Sequence, residues 1–67
     1  MRKIILEHML QYLNGQWAKH KLNIENLLTN TTALAEHPDL AVTIEEELGK
    51  MAEYEDKIAV LQKHFSV

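Results

Sequence analysis

Cysteine is absent from this 67-residue chain, so no disulfide can brace it. Proline occurs once and glycine twice, which is too little punctuation for a turn-rich β fold and suits long helices. No apolar run approaches the roughly 18 residues that a membrane span requires. Basic residues are also scarce. Seven Lys and Arg against ten Asp and Glu leave a net charge of −3, which is not the basic footprint that nucleic-acid binding normally needs. There is no glycine-rich phosphate cradle and no pairing of groups that would activate a nucleophile, so neither an enzyme nor a cofactor is expected. Met1-Arg2-Lys3 followed by Ile4-Ile5-Leu6 opens like a signal peptide. The apolar run stops at Glu7-His8, however, and no small-residue cleavage site follows. The expectation is a soluble, cytoplasmic protein with no membrane partner and no small-molecule substrate.

The chain does contain apolar residues, 46% of the total, too many for a disordered segment. A domain this small buries only roughly 60% of the surface its unfolded chain exposes, so its own core is marginal. Such domains are usually supported by a disulfide, a metal or oligomerisation. The apolar residues are ordered: Leu6, Leu10, Leu13, Trp17, His20, Ile24, Leu27, Thr31 and Leu34 follow one another at alternating steps of four and three. This is a 3.5-residue seam down one face of a long helix. Asn14-Gly15 could mark a turn, but the seam keeps phase through it. A continuous first helix over about 2–36 is therefore expected, with Gly15 costing about 1 kcal/mol relative to Ala.

Pro38 disfavours helical geometry at His37 and suits the first turn of a new helix. Asp39 adds negative charge where the helix dipole is positive, and Thr43 with Glu46 offers a second possible start as a capping box. The second helix is expected over about 39–65, with the turn near 36–42. Its apolar positions are Ile44, Leu48, Met51, Tyr54, Ile58, Leu61 and Phe65. Folding the two seams together gives an antiparallel αα-hairpin, all-α, as a single domain over residues 1–67. In the simplest register, residues whose numbers add to about 75 lie opposite, so His20 faces Tyr54 or Glu55. Residues 1–36 carry four basic and three acidic groups, and residues 37–67 carry seven acidic groups and three lysines. Opposite-sign halves favour folding back.

His20 and Tyr54 are the expected buried polar residues, hydrogen-bonded across the hairpin and fixing its register. Glu45-Glu46-Glu47 reads as a solvated acidic run near a helix N-terminus. His8 and His64 have no i, i+3 or i, i+4 ligand partner, so no metal site is expected. Two helices leave part of the apolar surface uncovered. Ile5, Met9 and Tyr12 form a stripe beside the seam, and Ala52 and Ala59 form a small-residue face on the second helix. These five are the candidate partner-binding residues. Their occupant would be a second copy, completing a four-helix bundle as a homodimer, or another helical protein.

Two resemblances are visible, one in a tripeptide and one in length and overall pattern. His37-Pro38-Asp39 spells the tripeptide that J-domain co-chaperones place between two antiparallel helices. The preceding Thr29-Asn30-Thr31-Thr32 lacks the basic surface of that family, and a helix start explains Pro38-Asp39 locally. More of the chain resembles the small helical-hairpin co-chaperones of type III secretion needle subunits. The likeness lies in the start Leu6-Glu7-His8-Met9-Leu10, a Pro-containing turn, and a second helix ending at Lys63-His64-Phe65. That resemblance implies a partner-dependent chaperone that shields an aggregation-prone subunit and has no enzymatic activity. The reading is thus a non-enzymatic protein–protein interaction module or small chaperone. The alternative is a dimeric hairpin that recognises structured RNA, like the plasmid-copy-number regulator of the same architecture, through Gln11, Asn14, Lys21 and Asn23.

Overall fold

The computed structural model describes residues 1–29 and 39–67. Helix α1 spans Arg2–Thr29 and helix α2 spans Leu40–Phe65. They pack against each other as an antiparallel hairpin measuring 50 × 15 × 11 Å between Cα atoms. Arg2 lies over the Phe65 ring at the open end, and Asn23 reaches Glu47 towards the other. No helix among the described residues is long and apolar enough to cross a membrane. The stretch expected to complete α1 to about residue 36, including the seam positions Thr31 and Leu34 and the His37-Pro38 turn, lies outside the described residues.

The seam forms α1 as its spacing requires. Leu6, Leu10, Trp17, Ile24 and Leu27 are half-buried, and Leu13 and His20 are buried at 6% and 5% exposure. The helix passes through Asn14-Gly15 without a break. A Cβ placed on Gly15 would meet open space, so no close approach explains the glycine there.

Asp39 is the N-cap of α2, with no side-chain cap bond. The first-turn bond runs from the Thr43 backbone N–H to the Asp39 carbonyl at 3.0 Å, and the Thr43 hydroxyl donates to that same carbonyl at 3.3 Å. Thr43 therefore sits inside the helix rather than opening it, because Leu40 is buried and anchors the first turn. The helix closes at Ser66, whose φ of 57° is left-handed, with Lys63 and His64 in the last turn where the dipole favours positive charge.

One seam position differs from expectation. Leu48 is 51% exposed, and Glu47 takes its place on the inner face. The buried and half-buried positions of α2 run Leu40, Ile44, Glu47, Met51, Tyr54, Ile58 and Leu61, an unbroken alternation of four and three. Keeping that alternation from the buried Leu40 brings residue 47 inward, and Leu48 falls outside it. The cross-helix register stays close to the mirrored one, with one added pairing. The contacts pair His20 with Glu47 and with Tyr54, and Trp17 with Glu55. His20 stacks on Tyr54 as the mirrored register expects, and its second neighbour, Glu47, lies about two turns nearer the start of α2.

Candidate interaction site

Two regions carry the polar chemistry and the uncovered apolar surface. The first is a polar layer in the middle of the hairpin. His20 Nδ1 lies 2.5 Å from Glu47 Oε2, and their side chains are 7% and 18% exposed. A carboxylate only accepts, so Nδ1 carries the proton and donates. Asn23 Nδ2 donates to the same oxygen at 3.2 Å. The His20 ring stacks on Tyr54 with centroids 5.8 Å apart. The bond from His20, reinforced by that from Asn23, holds the Glu47 carboxyl below its usual range, although burial works the other way. Desolvation pushes the Tyr54 phenol up, and the neighbouring Tyr12 phenol adds to this. No buried side-chain nitrogen or oxygen is left unpartnered among the described residues.

His20 is thus buried as expected, and Tyr54 is half-buried beside it. The sequence places Glu47 in a solvated acidic run. It is instead the acceptor at the centre of the layer, because a buried imidazole N–H needs a partner and the seam brings Glu47 to it. Glu55, the alternative neighbour of His20, instead accepts from Trp17 Nε1 at 3.2 Å. The ammonium of Lys21 sits 5.5 Å from the centre of the Trp17 ring.

The second region is the open-end flank on one side of the seam. Met9 and Leu13 from α1 and Asp56, Lys57, Val60, Leu61 and Phe65 from α2 line a largely apolar depression of about 280 Å³. Ile5, Met9 and Tyr12 are 57%, 45% and 56% exposed. Across the depression Val60 and Phe65 are nearly half exposed as well. Lys57 is held by Glu53 at 2.9 Å and lies over the Tyr54 ring, and this bond raises its pKa. The cation therefore rims the depression rather than filling it.

The five candidate partner-binding residues do not share one surface. Ile5, Met9 and Tyr12 recur at steps of four and three and lie on the flank marked by Lys57 and Val60. Ala52 and Ala59 bracket Glu55 at steps of three and four, so they share a stripe with the residue that binds Trp17. That stripe lies on the other side of the α2 seam from Lys57 and Val60. Both alanines are exposed. Of the residues considered for RNA, Gln11, Asn14 and Lys21 are exposed, but Asn23 is half-buried and engaged with Glu47. His8 and His64 are exposed, and no cluster of three or more His, Asp or Glu able to hold a metal ion occurs among the described residues. Comparison with protein-family models, curated proteins and solved structures gives no match to the chain.

Proposed function

We propose that this hairpin is a non-enzymatic protein–protein interaction module whose working surface is the open-end flank formed by Ile5, Met9, Tyr12, Val60 and Phe65. One observation carries the reading. Among the described residues only Leu13, His20 and Leu40 are buried, and none of the largest side chains is fully buried, whereas these five large apolar side chains stand about half exposed on one flank. Covering five such side chains would take on the order of 500 Å² of apolar surface out of water, the size at which a patch is commonly functional. At about 25 cal/mol per Å², that is of order 10 kcal/mol before the costs of association are subtracted. The function is therefore burial of this flank against another helical surface. It accords with a small chaperone or adaptor, and the type III resemblance points the same way.

The test is capture by the full-length tagged chain from its native host, with Met9→Glu and Ala52→Glu compared. Met9→Glu places a charge in the depression, and Ala52→Glu places one on the opposite stripe. Loss of capture with Met9→Glu and retention with Ala52→Glu is the expected pattern. Equal retention by both variants would refute the surface assignment.

A further inference from the structure

We propose that the occupant of this flank is a second copy of the chain. The two hairpins lie side by side and parallel about a two-fold axis running along their length, forming a four-helix bundle. The inference rests on the reading of the flank as an interface and adds which partner, and in which direction, covers it.

Area decides the direction. The hairpin face of 50 × 15 Å gives a footprint of roughly 750 Å², close to the about 800 Å² per partner of a standard stable interface. A dimer therefore needs nearly the whole face. The apolar residues occupy only its open half, so an antiparallel pair faces a choice. It can overlap the two open halves and use half the area, or overlap fully and set Ile5, Met9 and Tyr12 against Asn23, Asn26 and Glu46. Only the parallel arrangement overlaps the full length while keeping apolar on apolar in the open half. The apolar content also fits: about 500 Å² of the 800 Å² is close to the roughly 56–65% found in protein interfaces.

The two flanks are complementary to each other. Within one chain Met9 and Val60 already line a single depression at the same level along the hairpin, with Lys57 beside them. A two-fold axis along the hairpin sets the α1 flank of one copy against the α2 flank of the other, at the level these residues already share. Ile5, Met9 and Tyr12 then meet Val60, Phe65 and the stem of Lys57. Every helix in the resulting bundle has antiparallel neighbours on both sides, the arrangement of up-down-up-down bundles. The charged groups of the face are Lys19 on α1 and Glu46, Lys50, Glu53, Asp56 and Lys57 on α2, a balanced set in which Glu53 and Lys57 are already paired. No block of like charge opposes the contact.

Sedimentation equilibrium on the purified full-length chain tests the stoichiometry. The expected mass is twice the 7.8 kDa chain mass for the unsubstituted chain and for Ala52→Glu. Met9→Glu should fall to the single-chain mass, with circular dichroism confirming that it stays helical. Direction is read from a spin label on Val42→Cys, which is exposed and far from the flank, and the cysteine-free chain makes the label unique. Parallel copies put the two labels within about 35 Å, a bundle's width plus linkers, whereas antiparallel overlap of the open halves, the alternative that keeps apolar on apolar, separates them by about 50 Å. The longer distance would overturn the orientation. A single-chain mass up to about 1 mM would overturn the dimer. If capture from the host were still lost with Met9→Glu, the flank would remain an interface for another protein. If capture were unaffected, the interface reading would fail as well.

Discussion

The middle of the hairpin and its open end reverse the usual allocation of side chains. In the middle, a histidine and a glutamate are drawn inside and satisfy each other, with Asn23 and Tyr54 completing the layer. At the open end, isoleucine, methionine, tyrosine, valine and phenylalanine are left half outside. The polar layer fixes which residues of α1 and α2 lie opposite, since a slip by one turn would strand a buried imidazole N–H and a carboxylate. The apolar end is free of that duty, and its side chains stand about half exposed. If the open end is the interface we propose, register and recognition are held by different residues, a division that mutations can break from either side.

The largest effect is expected from the polar layer. His20→Ala removes a buried ring, its bond to Glu47 and its stacking on Tyr54, and should cost about 2–4 kcal/mol in urea unfolding. That is a large part of the stability of so small a chain. Replacing both His20 and Glu47 with Leu should restore much of the loss, because removing a buried pair outright is often neutral or better. The pair's value would then lie in register. A His20→Leu/Glu47→Leu chain as unstable as His20→Ala would show instead that the layer supplies stability directly.

Acid should act next. The Glu47 carboxyl is held below its usual range by His20 and Asn23. Its contribution is therefore fully present above the unfolded glutamate value and is lost as pH falls through the lower folded value. Thermal midpoints should fall below about pH 4.5, and Glu47→Gln should flatten that fall, with the two chains converging in acid. Parallel pH profiles for the two would break the link between the shift and the layer.

Smaller gains are expected where the backbone alone is concerned. Gly15→Ala and Gly49→Ala each add a Cβ into open space on a helix, and each should stabilise by about 1 kcal/mol. The smallest effect is Leu48→Gln, within about 0.5 kcal/mol because that side chain is outside the seam. A loss of 2 kcal/mol or more, of the order that a buried leucine such as Leu13 would give, would return Leu48 to the core.

Much of this architecture is legible in the sequence. The α1 seam, its passage through Gly15 and the antiparallel return all follow from spacing, because helical periodicity is a local property. The polar layer was half legible. His20 interrupts the apolar seam visibly, but its partner Glu47 was hidden by Leu48 next to it, which fills an apolar pattern better. Carrying the four-three alternation from Leu40 would have found it. The separation of Ala52 and Ala59 from Met9 depends on which flank of α2 turns towards which flank of α1, and only the packed pair fixes that.

The central claim is that Met9 and its neighbours form an interface while the His20 layer forms the core. The most direct test is the thermal midpoint of the full-length chain over a hundredfold range of protein concentration, with and without Met9→Glu. A midpoint that rises with concentration in the unsubstituted chain, and no longer does so in Met9→Glu, is the predicted result. A midpoint independent of concentration, and lowered by Met9→Glu at every concentration, would make Met9 part of the hairpin's own core and contradict the account.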